Sequence, residues 1–497
     1  MSIFYKSSPP IKLFKKYTIL AFAILSIFIF NGNTGCGTSP ANHPFIKPSP
    51  SDFSGMTWLA AYDALHALMQ EQYAFGDWKS IDWNALNNTI RPKIILAENA
   101  ANPNDYATAL LEYTRSIPDG HVMWGDEMEK IIYPNIEESY GFGIAELDNG
   151  KVIATTVTAL GPAASEGMLE GDEILEWNNV AITTAASQSS ILWRPETASI
   201  ATTELKRYEQ FRALTLDPDA NVSRVKFSRP DGSGVTTKDL TATDDGNTIL
   251  QKTQFWNKIN PADPIQHSIL PSGYGYIVVG TLDTDNFSFD KLFNDFKEAM
   301  EFMATNNVPG LIIDLRGNGG GEDELAAKIS GFFYAEETFY EYQNQYNAYN
   351  GLMEIILPNR DGTAIIGWGI PLNIPPQTPL FTGPVVALVN PDTTSSAEGV
   401  AMTIQNLENG YVVGIFGTNG SFGMTGGEAK MPMGYIVKFP NGQSLNQDRE
   451  IQLDSRNGIG GITPDIKVSR TSANMINYVG RTADIELNRA VSFLQSL

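Results

Sequence analysis

Residues 391–401 read PDTTSSAEGVA and join an apolar run, 385–390 (VVALVN), to a helix-forming stretch, 398–407 (EGVAMTIQNL). A serine on a tight strand-to-helix turn exposes its hydroxyl beside the free N–H groups of the helix start. That suits a nucleophile with an oxyanion site. Plain N-capping produces the same pattern, because Ser and Thr are favoured caps. A serine nucleophile also needs a base, and the chain holds 4 histidines. His43 lies in a Pro/Ser-rich stretch, His66 in a helical stretch, and His267 before a strand, among prolines. His121 ends the tight turn Ser116-Ile117-Pro118-Asp119-Gly120-His121, which places its imidazole at a loop exit. A third element is DLRGNGGG at 314–321, where a strand runs into a Gly-rich turn and then a helix. Such turns offer backbone N–H groups to an anion. Glu322, Asp323 and Glu324 follow where a phosphate site would need a lysine, so an oxyanion hole fits better than a phosphate cradle.

The elements that must position these residues are a multidomain α/β arrangement. Residues 55–130 carry apolar residues at helical spacing (Leu59, Tyr62, Leu65, Met69; then Ala109, Leu110, Tyr113) and read as an N-terminal helical domain. Residues 131–250 change to alternating apolar positions with a hairpin turn at Asp148-Asn149-Gly150 and glycines at 161, 167 and 171. This stretch resembles a PDZ domain, interrupted by an insertion at 184–217. The resemblance implies that Gly141, Phe142, Gly143 and Ile144 form the loop that holds a peptide's C-terminal carboxylate. From 251 to 497 strands alternate with helices, the pattern of a largely parallel layered core. Expected strands are 276–279, 311–315, 385–389 and 411–413; expected helices are 288–304, 322–333 and 398–407. Residues 334–380, aromatic and Asn-rich, read as a lid or a solvated loop.

The chain has 497 residues and a net charge of −22. Residues 1–35 hold Lys6, Lys12, Lys15 and Lys16 and no acid, so without them the charge is about −26. A body that acidic is a poor binder of nucleic acid. The four lysines precede an apolar run, 17–30, too short for an ordinary spanning helix. Then comes Cys36, the only cysteine, which excludes an intrachain disulfide and a multi-cysteine metal site. The placement resembles a lipoprotein signal (1–35), with lipid attachment at Cys36 and a Pro/Ser-rich tether to residue 54. The expected location is therefore the cell envelope, on a membrane anchor. An ordinary secretory signal is the alternative.

DLRGNGGG, TTSSAEG, a strand ending YVVG and Gly461-Ile462-Thr463-Pro464-Asp465 occur in that order behind the PDZ-like stretch and the DGH turn. Together they resemble the S41 peptidase family, which includes the C-terminal processing proteases and the tricorn core protease. The resemblance implies a crotonase/ClpP-like α/β catalytic core and serine endopeptidase activity through an acyl-enzyme, with no cofactor or metal. It also implies Ser395 as nucleophile, with Ser396 the alternative, and the N–H groups of Ser396 and Gly320 as oxyanion donors. The processing branch uses a lysine after a T-x-G-K turn. The matching stretch here, GIFGTNGSFG at 414–423, has none, and Lys430 comes late. The tricorn-like branch uses a histidine from a D-x-H turn, the place His121 holds. A serine precedes that histidine there, whereas Gly120 stands here. The late acid of that branch has two candidates, Glu450 and Asp454. The competing expectation is a catalytically silent lipoprotein that binds peptides or ligands on the same fold. An acyl-CoA enzyme would follow from the core alone, and the PDZ-like stretch and export signal argue against it.

Overall fold

The structure is a computed structural model that describes residues 44–125, 138–192, 194, 198–216, 222–358, 364–366 and 370–497. The leader, Cys36 and His43 lie outside the described residues. Pro44–Leu497 forms one compact unit.

At its centre is a six-stranded sheet in the order Ile265–Ile269, Gly275–Val279, Leu311–Asp314, Val385–Leu388, Gly410–Gly414, Ile466–Lys467. Only the first pair is antiparallel. Leu311–Asp314 and Val385–Leu388 are buried at every position, as parallel strands covered on both faces must be. Their side chains divide with period two. Leu311, Ile313, Val385 and Ala387 meet Phe296, Met300, Met303, Val400 and Ile404 on one face, while Ile312, Val386 and Leu388 meet Met475, Tyr478 and Val479 on the other. The helix Phe289–Thr305 starts at Ser288, whose hydroxyl accepts from the Lys291 N–H, and it buries Leu292, Phe296, Ala299, Met300 and Met303.

Residues 334–380 depart from the expected lid or loop. Thr338–Asn347 is a strand paired with Leu352–Pro358, Leu372–Ile374 and Ile436–Leu445. Its Asn and Gln residues, poor strand formers by type, are used in cross-strand bonds such as Asn344 Nδ2 to Gln443 Oε1 at 2.9 Å. Ile436–Leu445 also pairs with Met424–Lys430 and Met123–Trp124. This sheet presents Val437 and Phe439 to the helices Trp58–Gln72, Trp83–Ala100 and Pro103–Arg115, so the helical region shares a core with the sheet.

Residues 142–241 contain a six-stranded antiparallel sheet in the order Phe142–Glu146, Val152–Val157, Glu173–Trp177, Val222–Ser228, Thr236–Thr241, with Val180–Ala181 paired to Glu173–Trp177 off this path. The insertion supplies the helices Ile182–Gln188 and Thr203–Thr215, and the second packs against Phe142–Glu146. Gly141, Phe142, Gly143 and Ile144 are all buried. The Gly141 N–H is given to Ser139 Oγ at 3.0 Å, and a Cβ at Gly143 would lie 2.7 Å from Thr253 Cγ2. Of the loop expected to hold a peptide carboxylate, the Gly141 N–H is thus taken by the chain itself.

Candidate active site

Ser395 stands where the strand Val385–Leu388 hands over to the helix Ser396–Gln405, with φ 57° and ψ −132°. A side chain is costly in that region, and strain of this kind gathers at functional turns. Glu398, fully buried, explains how the turn is held. Its carboxylate accepts from the Ser395 N–H (3.1 Å), the Thr418 hydroxyl (2.5 Å), the Gly420 N–H (2.8 Å) and the Ser421 N–H (3.1 Å). Burial pushes its pKa up to about 7 even against these donors. Glu398→Gln keeps the shape but turns one acceptor into an NH2 facing N–H donors. It is expected to lower kcat by about 100-fold through misplacement of Ser395, and an unchanged kcat would show that the elbow holds without this carboxylate.

The two adjacent serines differ. Ser396 is fully buried, and its Oγ lies 2.8 Å from Gly321 O and 2.7 Å from Asp323 Oδ1, so its hydroxyl ties the helix start to the Gly-rich turn. Burial pushes Asp323 up to about 7. Ser395 is partly exposed. Gly320 lies against it: a Cβ there would sit 2.7 Å from Ser395 Cβ and 3.0 Å from Ser396 N, at φ 93°. The Gly320 N–H, expected to face an oxyanion, is instead taken by Asn318 Oδ1 at 2.8 Å. Among the described residues no acceptor takes the Ser396 N–H.

His121 is 5% exposed, and burial lowers its pKa. Its N–H donates to Asp119 Oδ1 (2.9 Å), and Tyr73 OH donates to Asp119 Oδ2 (2.8 Å). Its Nδ1 has no partner among the described residues. What joins this turn to Ser395 is Ser421. The Ser421 carbonyl accepts from the Ser395 N–H (3.1 Å), and its hydroxyl accepts from the Gly120 N–H (2.7 Å). A Cβ at Gly120 would meet Asn419 Oδ1 at 2.4 Å and Ser421 Oγ at 2.9 Å. The space for a serine at 120 is thus already filled, and the hydroxyl beside the histidine turn comes from residue 421.

The two acid candidates separate cleanly. Glu450 is exposed in a surface turn, its N–H bonded to Asn446 Oδ1. Asp454 is buried, accepts from the Phe422 N–H (2.9 Å) and contacts Lys79 Nζ (2.5 Å). Glu450 is therefore outside this cluster. Lys430 is exposed at the end of its strand. His66 is buried beside Tyr113 OH (3.1 Å), and the His267 ring lies on Phe302. Lys79 went unread because nothing in FGDWKSID marks a lysine as buried; only the fold brings it to Asp454. Among the described residues no group of His, Cys, Asp and Glu could hold a metal ion.

Residues 273–468 match Peptidase family S41. This part of the chain is an S41 peptidase domain. The matched segment holds DLRGNGGG, Ser395, Glu398, the 418–421 loop and Asp454, while His121 and Lys79 come from outside the S41 segment. The fold as a whole resembles that of mature CPAF, at 15% identity and a TM-score of 0.59, covering 88% of this chain and 97% of that chain. It also resembles mature CPAF complexed with lactacystin, at 13% identity and a TM-score of 0.57, covering 88% and 98%. At such identity the likeness is one of fold, and it extends beyond the S41 segment. No curated protein matches the sequence.

Proposed function

We propose that this chain is an exported serine endopeptidase in which Ser395 is the nucleophile and His121 the general base. The observation that carries the reading is the pair of hydrogen bonds accepted by Ser421, which tie the strained Ser395 turn and the Gly120-His121 turn to one loop. His121 takes the Ser395 proton as Oγ attacks the peptide carbonyl. It then returns the proton to the leaving amine, and water releases the acyl group by the same route. The Ser396 N–H stabilises the tetrahedral oxyanion, and Gly320 joins it once Asn318 yields. Asp454 is the late acid. Residues 142–241 act as a PDZ-like module that admits peptide only when the helix Thr203–Thr215 moves off Phe142–Glu146. A lipid on Cys36 anchors the protein in the cell envelope, where protein or peptide substrates are its partners.

The test is hydrolysis of an unstructured, casein-like protein by the full chain and by its Ser395→Ala and His121→Ala variants. Activity in the parent that is lost in both variants supports the reading. Loss only in Ser395→Ala leaves the nucleophile and removes the base. Because burial lowers the His121 pKa, the neutral imidazole persists below the usual value of about 6.5. The acidic limb of kcat/KM is therefore expected below that value. Glu398 and Asp454, both pushed up to about 7, titrate nearer neutrality. A limb centred near 7 would assign the pH dependence to them rather than to His121.

The second reading is a silent peptide- or ligand-binding protein. Two observations favour it: the Gly320 N–H is already bonded, and the His121 Nδ1 has no partner among the described residues. A parent with no Ser395-dependent hydrolysis that still binds the unstructured protein would support it.

A further inference from the structure

Lys79 lies in the turn between Trp58–Gln72 and Trp83–Ala100, outside the S41 segment, and its side chain is 1% exposed. A lysine is almost never that buried unless its charge is matched. Its ammonium donates to Pro118 O at 2.9 Å and Ser455 Oγ at 2.8 Å, and it forms an ion pair with Asp454 Oδ1 at 2.5 Å. Asp119 Oδ2 lies 3.9 Å away. Pro118 and Asp119 belong to the turn that carries His121, and Asp454 and Ser455 belong to the turn that follows the antiparallel sheet.

We propose that Lys79 is a positioning residue of the active site: its ammonium clamps the 118–121 turn to the 454–455 turn and sets both the placement and the basicity of His121. The inference rests on the assignment of His121 as the base. The charged groups around the turn are Asp119 on the turn itself, Lys79 from the helical region and Asp454 from the opposite turn, with the Tyr73 hydroxyl on Asp119. The Lys79 ammonium lies beside both buried carboxylates and counters the upward push that burial gives Asp454. Without it the two acids repel, and Asp454, already raised by burial and by Asp119, takes up a proton. The imidazole loses the cation that lowers its pKa and keeps the anion that raises it. The helical region is thus part of the catalytic apparatus and not an appended module.

The test is an NMR titration of the His121 imidazole in the full chain, identified by its absence from His121→Ala, in the parent and in the Lys79→Met and Lys79→Arg variants. This readout does not require the protein to be a peptidase. Lys79→Met is expected to raise the His121 pKa, and Lys79→Arg to leave it close to the parent's. If the parent hydrolyses protein, Lys79→Met should also lower kcat about 10-fold or more with little change in KM, and its acidic limb should move up. If Lys79→Met fails to fold, the uncharged pair Lys79→Gln/Asp454→Asn takes its place, with the same expected rise. An unchanged His121 pKa in the folded variant overturns the proposal. So does an equal shift in Lys79→Arg, which would mean that packing, and not charge, is what the lysine supplies. A parent without Ser395-dependent activity would defeat the peptidase reading alone, because the titration still decides the role of Lys79.

Discussion

Ser395→Ala is expected to lower kcat by about 10,000-fold or more, with unfolding behaviour close to the parent's. The hydroxyl is the bond-forming group in the proposed mechanism, while the fold uses the backbone of this residue. The Ser395 N–H is bonded to Ser421 O and Glu398 Oε2, and both bonds survive loss of the hydroxyl. A second variant separates catalysis from strain. At φ 57° and ψ −132° a Cβ is disfavoured whatever the side chain carries, so alanine keeps the strain and glycine releases it. Glycine also loses more backbone entropy on folding, which offsets part of that gain. Ser395→Gly should therefore be inactive yet more stable than Ser395→Ala by about 1 kcal/mol. The check is urea unfolding of the two variants side by side. Equal midpoints would mean that the turn is not strained, and that it is shaped for packing and not for exposing a nucleophile. Residual hydrolysis in Ser395→Ala near the parent rate would move the nucleophile elsewhere, although Ser396 is poorly placed for it with its hydroxyl between Gly321 O and Asp323.

Local chemistry explains which parts of the site could be read from the sequence. The Ser-rich turn, the DGH turn and the Gly-rich turn are short segments whose residue types are demanded by backbone geometry. At Gly320, for instance, a Cβ would strike Ser395. The central strands and the helix Phe289–Thr305 were legible because burial on both faces or on one face writes a period into the sequence. The unread parts depend on contacts across long stretches of chain. Ser421 reaches Gly120 over 301 positions, and Lys79 reaches Ser455 over 376. Neither residue type signals burial. The packing around Phe142–Glu146 is hard to read for a related reason: the helix against that strand comes from an insertion without a clear pattern. Thr203–Thr215 buries Glu209 and Arg212 as an ion pair, so its inward face does not read as apolar. Thr338–Asn347 was hidden by its amides, which suggest a loop until the partner strand that bonds them is known.

Arg316 carries the largest expected effect on stability. It is the Arg of DLRGNGGG, and its side chain is fully buried among three carboxylates. All five guanidinium protons are used. Nε meets Asp314 Oδ1 (2.9 Å), Nη1 meets Asp484 Oδ1 (2.8 Å) and Glu486 Oε2 (3.0 Å), and Nη2 meets Asp314 Oδ2 (2.6 Å) and Asp484 Oδ2 (2.9 Å). Asp314 also accepts from Tyr276 OH, and Glu486 from the Ile415 N–H. The cluster therefore pins the helix Ile485–Leu494 to the strand end from which the Gly-rich turn departs. Arg316→Met removes the guanidinium and leaves buried carboxylates facing one another. The expected loss is about 3–5 kcal/mol. The sign of its pH dependence follows from the acids. In the parent, Arg316 holds the Asp484 pKa below its ordinary value, so that stabilisation is present at neutral pH and is lost only as acid reaches the lowered pKa. In Arg316→Met the Asp484 and Glu486 carboxyls are pushed up by burial and mutual repulsion. They are tolerated when protonated and destabilise the fold as pH rises. The difference between parent and variant should thus be larger at pH 8 than at pH 5. Urea unfolding at the two values checks it. An equal loss at both would mean that the variant suffers from misfitted packing of the methionine, and that the guanidinium charge contributes little to holding the turn beside Ser395.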